Sequence, residues 1–168
     1  MIRALAAFLL LAPPLLAQDA AEPAAEPAVE AATPDPAAPG PVAAWEADPL
    51  AILPPDGVEL DSFEYVARAL VIFADSPRQP ELLEQLRLIE ADRGALAGRD
   101  VAVVVDADPE GGGALRRALR PRGFGLVLVD KDGSVALRQP SPTTPREVAR
   151  AIDRTPIRRE ELAATRGR

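Results

Sequence analysis

The sequence predicts an α/β fold between Ala69 and Ile152, and two observations carry that prediction. Continuous apolar runs at 69–74 and 101–105 are bounded by polar residues, which is typical of strands buried on both faces. Each run is followed by a segment in which apolar residues recur at helical spacing. Strands separated by helices imply right-handed crossovers, so we expect the first two strands to be parallel.

The first predicted helix begins at Pro80, since proline suits the first helical turn. The positions expected to face the core are Leu82, Leu83, Leu86 and Ile89. A second helix follows Gly111–Gly113, and its outward residues are expected to be Arg116, Arg117 and Arg120. This basic face, extended by Arg122, fits an acidic partner or phospholipid head groups, and the alternative is a solvated helix surface.

A hairpin and a last helix complete the pattern. Asp130–Gly133 separates strand-like runs at 124–129 and 134–138, and an Asp-Gly pair in that position is a strong hairpin signal. Thr144 as N-cap and Glu147 three residues later form a capping-box pattern, which predicts that a helix begins there.

The N-terminal third of the chain differs in composition from the rest. Residues 1–17 have the pattern of a signal peptide: a basic residue at Arg3, a short apolar run and the small residue Ala17 before the expected cleavage. That run is shorter than the roughly 20 apolar residues that cross a bilayer, and an uncleaved anchor is the alternative. Residues 18–57 are rich in Ala, Pro, Glu and Asp, which predicts a disordered acidic linker before a domain at 58–168. An alternative is that a lead-in segment packs on the domain through Trp45, Leu50, Ile52 and Leu53.

Composition excludes several classes of function. The 168-residue chain contains no Cys and no His, which removes thiol–disulfide exchange, cysteine proteases, Ser-His hydrolases and most zinc sites. The formal charge of −7 comes from the N-terminal part, because residues 65–168 hold fifteen acidic and eighteen basic residues. This balance argues against a nucleic-acid binder. We expect a periplasmic or secreted protein with no cofactor and no stable membrane anchor after signal cleavage.

The order of elements and the segment Leu126–Gly133 resemble the thioredoxin-like superfamily. This resemblance implies a thioredoxin-like core, β-α-β-α-β-β-α, with a disordered N-terminal extension. More specifically, Leu70–Ala74, the pair Arg99-Asp100 and the segment 152–161 are similar to an exported bacterial family, domain of unknown function 4174. The similarity covers about residues 58–162 and implies a fold without an established activity.

The first candidate site occupies the place of the thioredoxin Cys-x-x-Cys motif. Ser76, Arg78 and Gln79 lie there at a predicted helix N-terminus, where free backbone N–H groups attract anions. These residues are therefore a candidate anion-binding site, and the alternative is that they only cap the helix.

The second candidate site follows the second predicted strand. Asp106 and Asp108 resemble the Asp-x-Asp of haloacid-dehalogenase-type phosphatases, whose chemistry needs Mg²⁺ and further acidic residues. They are a candidate metal site, and a simple strand-to-helix loop is the alternative.

The third candidate site follows the last predicted helix. We expect Asp153 to end that helix and Pro156 to stop its continuation. Asp153 is then expected to pair with Arg158 or Arg159 as a structural clasp for the C-terminus. The alternative is that Arg158 and Glu161 project outward as a recognition surface.

The sequence favours an exported non-redox thioredoxin-like domain that acts as a binding or structural module. Its partner is unknown, and a periplasmic protein is the expected class. The alternative is an enzyme, either metal-dependent and phosphatase-like or a degenerate peroxiredoxin-like protein without a thiol. An enzyme needs several polar groups with perturbed protonation around one pocket, whereas a binding module needs an exposed patch.

Overall fold

The computed structural model describes residues 39–167. Within this range the chain forms five strands: β1 Ile52–Leu53, β2 Arg68–Phe73, β3 Val101–Asp106, β4 Gly125–Val129 and β5 Val135–Gln139. It also forms five α-helices: α1 Pro41–Ala47, α2 Pro80–Ala91, α3 Ala114–Leu119, α4 Pro145–Asp153 and α5 Pro156–Arg166. None of these helices is long and apolar enough to cross a bilayer.

One mixed sheet contains the five strands in the order β1-β3-β2-β4-β5. β3 is parallel to both β1 and β2, whereas β4 is antiparallel to both β2 and β5. β2 therefore lies at the centre, with Leu70 opposite Val103 on one side and Leu128 on the other. From β2 to α4 the order is β-α-β-α-β-β-α, so the predicted thioredoxin-like core is confirmed.

The alternation of side chains along β2 divides the core into two layers. Val71 and Phe73 pack with residues of α1 and α3, while Leu70 and Ile72 pack with residues of α2 and α4. All four side chains are fully buried. Burial of one such side chain contributes roughly 1.5–3 kcal/mol, so these layers fix the strand ends and loops that carry the charged residues.

The folded part of the chain begins before the predicted boundary at Val58. α1 and β1 lie within the predicted linker at 18–57, so the structure differs from that prediction after Pro41. Trp45 and Leu53 are buried, and Nε1 of Trp45 donates a hydrogen bond to the carbonyl of Val101 at 3.1 Å. These apolar side chains cover the edge of β3, which removes their surface from water. The predicted signal peptide and the rest of the linker lie outside the described residues.

Two helices differ from the predicted pattern. In α2, Leu83 is 52% exposed and Gln85 is buried. Gln85 is compatible with burial because its amide accepts from the N–H of Thr143 at 2.8 Å and donates to the Thr143 carbonyl at 3.0 Å. Pro156 was expected to stop any further helix, but it is the first residue of α5. The hydroxyl of Thr155 caps this helix, and proline suits its first position.

Candidate functional site

β2 begins with an arginine that is fully buried. The exposure of Arg68 is 0%. Its Nε lies 2.8 Å from Oδ1 of Asp130, Nη1 donates to the carbonyl of Arg99 at 2.9 Å, and Nη2 donates to Oε1 of Glu161 at 3.2 Å. A buried charge needs such counter-charges and acceptors to offset its loss of hydration. Arg68 therefore joins β2 to the hairpin turn, to the loop before β3 and to α5.

Glu161 is the residue through which α5 enters this network. Its Oε1 also lies 3.0 Å from Nζ of Lys131, and its Oε2 accepts from Nη1 of Arg158 at 3.0 Å. Burial alone would raise the pKa of this carboxyl, but hydrogen bonds from Lys131, Arg158 and Arg68 outweigh burial and lower the pKa to about 2. Glu161 is therefore charged at neutral pH and acts as a fixed counter-ion.

The rim of the network contains the residues predicted to form a C-terminal clasp. Asp153 accepts two hydrogen bonds of 3.0 Å from Arg99, and these lower the pKa of Asp153. Arg158 is a distant second partner, with its Nε 3.9 Å from Asp153, and its Nη2 donates to the carbonyl of Gly98 at 2.9 Å. Arg159 is exposed and forms no ion pair within residues 39–167. The close partner of Asp153 is thus Arg99, because α5 directs Arg158 into the network.

The network is electrically balanced. Its four basic and four acidic residues are Arg68, Arg99, Lys131, Arg158, Asp100, Asp130, Asp153 and Glu161. Each carboxylate lies within ion-pair distance of a basic group, including Asp100, which accepts from Lys131 at 2.8 Å. Such an arrangement can hold the C-terminal helix in place, and it offers no uncompensated charge to a ligand.

A second buried ion pair lies where β2 and β3 end. Nε of Arg116 donates to Oδ1 of Asp106 at 2.9 Å, and Nη2 donates to the carbonyl of Ala74 at 2.7 Å. The guanidinium also lies 5.4 Å from the ring centre of Phe73. The prediction that Arg116 points outward is therefore wrong, because charged and carbonyl acceptors at the strand ends bind its side chain.

This ion pair bears on the predicted metal site. Oδ1 of Asp106 accepts from both Arg116 and the N–H of Asp108, the latter at 3.2 Å. Asp108 is exposed, and its Oδ1 accepts from the N–H of Glu110 at 3.0 Å. In the described part of the chain no group of three or more metal-ligating side chains comes together. The two aspartates are arranged as stabilisers of the strand-to-helix loop.

The predicted anion site lies where α2 begins. Oε1 of Gln79 accepts from the N–H of Asp75 at 2.7 Å, and the N–H of Gln79 donates to the carbonyl of Ser76 at 3.2 Å. Ser76 and Arg78 are exposed. Gln79 therefore stabilises the turn before the helix, and Asp75 adds a negative charge within four residues of the predicted site.

A groove with an excess of positive charge lies between the end of α3 and strands β4 and β5. Its volume is about 500 Å³, and its walls contain Arg120, Arg122 and Arg138 but no acidic residue. We call it the basic groove. Arg138 lies opposite Val127 in the β4–β5 register, so the strand pairing brings it to the two arginines that follow α3. The spacing of residues along the predicted helix gives no sign that Arg138 belongs to this groove. The register of the predicted hairpin could have shown it.

An apolar cavity lies at the other edge of the sheet. It has a volume of about 480 Å³, and Trp45, Leu50, Leu96 and Val101 are among its lining residues. Arg93 at its mouth donates to the carbonyl of Leu50 at 3.0 Å, so this cation is already engaged. A cavity of this size and character accepts an apolar side chain or a small apolar molecule. Sequence reasoning missed it because the segment before β1 builds one of its walls.

Solved structures with a similar fold include three thioredoxins. Chloroplastic thioredoxin z is 23% identical, with a TM-score of 0.42 over 54% of this chain and 82% of that chain. The pneumococcal exposed lipoprotein thioredoxin from Streptococcus pneumoniae strain TIGR4 is 13% identical, with a TM-score of 0.45 over 62% of this chain and 97% of that chain. The reduced desulfothioredoxin from Desulfovibrio vulgaris Hildenborough is 23% identical, with a TM-score of 0.41 over 56% of this chain and 86% of that chain. Comparison with curated proteins finds no match.

One family description matches most of the folded region. The family described as "Domain of unknown function (DUF4174)" matches residues 59–161, which is more than half of the 168-residue chain. The match ends at Glu161, the counter-ion of Arg68, and it therefore includes every residue of the charge network around Arg68. The chain belongs to the DUF4174 family.

Proposed function

We propose that the chain is an exported binding module without redox activity. This proposal rests on the partners of the buried charged side chains. Arg68 pairs with Asp130 and Glu161, and Arg116 pairs with Asp106. Carboxylates and guanidinium groups of this kind could serve catalysis, but here they connect elements of the fold to one another. Within residues 39–167, three arginines without a carboxylate partner, Arg120, Arg122 and Arg138, line one open groove, which is a property of a binding surface.

The protonation of the carboxyl groups supports binding over catalysis. Within residues 39–167 the carboxyl pKa is lowered from its ordinary value at Glu84, Asp132, Glu147, Asp153 and Glu161. Hydrogen bonds to the charged carboxylates lower these pKa values. At Glu161 burial is the largest single influence and raises the pKa, but the hydrogen bonds together outweigh it. A general acid that works near neutral pH needs a carboxyl pKa shifted in the opposite direction.

The sequence supports the other two parts of the proposal. A chain without Cys lacks the thiolate that disulfide exchange requires. The basic start, apolar run and Ala17 within residues 1–17 are typical of a cleaved export signal. An exported binding module meets its partner outside the cytoplasm, so the expected partner is a periplasmic or secreted protein.

Turnover and capture assays on the purified mature protein test the proposal. We expect no reduction of insulin disulfides, no consumption of hydrogen peroxide and no Mg²⁺-dependent hydrolysis of p-nitrophenyl phosphate. We also expect chemical crosslinking in a periplasmic extract to give a saturable complex with a discrete partner. Turnover that disappears in the Asp106→Asn variant would contradict the proposal, and so would the absence of any saturable complex. Retention of Met1 in the exported protein, measured by intact mass, would contradict signal cleavage.

A further inference from the structure

The basic groove is a recess with an apolar floor. α3 ends at Leu119, and the chain then passes Arg120 and Arg122 before it enters β4. Leu119 and Val127 are buried residues that line the groove, and Arg138 on β5 completes its wall. The three arginines therefore line a concave space of about 500 Å³.

The three arginines of the basic groove have no carboxylate partner within residues 39–167. Eight other basic residues in that range pair with a carboxylate, and six arginines that lack such a partner lie outside the groove: Arg78, Arg117, Arg150, Arg154, Arg159 and Arg166. Among the described residues, Arg138 donates only to the carbonyl of Leu119, at 2.9 Å. Positive charges that share one recess repel one another, so an anionic occupant would stabilise the groove.

Arg120 has a backbone conformation that costs free energy. Its φ of 48° and ψ of 58° lie in the left-handed region, where glycine is preferred after a helix. The chain thus has a long cationic side chain at a position where glycine would be less strained. Local strain of this kind is often found where a side chain serves binding, because the gain in binding offsets its cost.

We infer that the basic groove binds an acidic peptide segment of the partner protein, an inference that rests on the proposed binding function. Planar guanidinium groups suit carboxylates, since two N–H groups can meet two oxygens. The apolar floor accepts the aliphatic part of a peptide, whereas a flat bilayer surface cannot enter a recess. The chain's own acidic segment, residues 18–38, is the alternative occupant. It leads into α1, which packs beside β1, whereas the groove lies beside β5 at the opposite edge of the sheet.

Fluorescence anisotropy with the full mature chain tests this inference. The labelled ligand is a fluorescein-tagged peptide of alternating Glu and Val. The groove variant carries Arg120→Gln, Arg122→Gln and Arg138→Gln. The control variant has the same net charge and changes three other exposed arginines: Arg150→Gln, Arg154→Gln and Arg159→Gln.

We expect the groove variant to bind the peptide about 8- to 27-fold more weakly, since each of the three lost contacts should weaken binding about two- to threefold. The control variant should change the affinity by less than about twofold, because its three arginines do not line the groove and exposed charges are screened by salt. Arg122→Gln alone should weaken binding about two- to threefold, and this single exposed change keeps the test independent of the triple variant's folding.

Three outcomes would overturn the inference. Equal losses in the groove and control variants would mean that bulk charge alone attracts the peptide. Tighter binding to phosphatidylglycerol-containing vesicles than to the peptide, with loss in the groove variant, would make a membrane the occupant. An affinity that rises more than about threefold when the five acidic residues within 18–38 become amides would make the chain's own segment the occupant.

The capture assay separates this inference from the proposed function. A partner complex that persists in the groove variant would leave the binding function in place and would show that this groove is not its surface. A complex that is lost in the groove variant and kept in the control variant supports both.

Discussion

The charge of Glu161 should stabilise the folded protein by about 2 kcal/mol at pH 7. Glu161→Gln removes that charge while it keeps the size of the side chain and one acceptor oxygen, so the change reports on charge rather than on packing. Loss of one partner of a fully buried pair costs about 3–5 kcal/mol, and loss of an exposed pair costs about 0–1 kcal/mol. Arg68 is fully buried but the side chain of Glu161 is 24% exposed, so we expect an intermediate value.

The pKa of Glu161 defines the pH range over which this contribution should change. The pKa is about 2 in the folded protein against an ordinary value of 4.5. Because folding lowers the pKa, the carboxylate stabilises the folded state fully above about pH 4.5, and this contribution is lost as the pH falls toward 2. The difference of 4.5 − 2 corresponds to at most about 3.4 kcal/mol at about 1.36 kcal/mol per pKa unit, and solvent screening reduces it to about 2 kcal/mol.

Urea unfolding of the wild type, Glu161→Gln and the control variant Glu160→Gln at several pH values measures these free energies. Glu160 is the exposed neighbour of Glu161, and its substitution should change the free energy of unfolding by less than about 0.5 kcal/mol. The gap between wild type and Glu161→Gln should be largest at pH 7 and should shrink below about pH 4.5. A gap that is the same at pH 7 and near pH 2, or that matches the Glu160 control at pH 7, would refute the reasoning.

Three further substitutions test other parts of the structure by urea unfolding. Asp153→Ala should cost about 0.5–1 kcal/mol because its pair with Arg99 is partly exposed, and a cost above about 2 kcal/mol would contradict this assignment. Asp106→Asn should cost about 1–3 kcal/mol because Arg116 stays largely buried without a carboxylate, and an unchanged stability would contradict a structural role for the pair. Arg120→Gly should leave the free energy of unfolding unchanged or raise it by up to about 1 kcal/mol while it weakens peptide binding, and a marked loss of stability would mean that the left-handed conformation is not strained.

Structural features formed by residues that are close together in the sequence could be predicted from it. The capping box before α4 is confirmed, since the N–H of Thr144 donates to Glu147 at 3.0 Å and the N–H of Glu147 donates back at 3.3 Å. The hairpin at Asp130–Gly133 pairs β4 with β5 as expected. Turn residues and caps act within a few positions of one another, so their pattern is complete in a short stretch of sequence.

The buried charges could not be predicted in this way. In sequence, Arg68 is only the polar boundary of an apolar run, yet it is fully buried because its counter-ion Glu161 lies 93 residues further along the chain. Arg116 was expected on an outer helix face, and its acceptor at Ala74 is 42 residues away. Such partners become neighbours only after the sheet has formed, and helical spacing contains no information about them. The same holds for Arg138 in the basic groove, which strand register places beside the end of α3.

Site-specific photocrosslinking in cells that produce the protein tests the binding function most directly. A benzoylphenylalanine at position 121, which lines the basic groove, is compared with one at position 150 on α4, which is exposed and lies outside that groove. We expect one discrete crosslinked protein from position 121, lost when Arg120 and Arg122 are changed to Gln, and no such product from position 150. No crosslink from position 121, or equal crosslinks from both positions, would contradict a binding module that holds its partner in this groove.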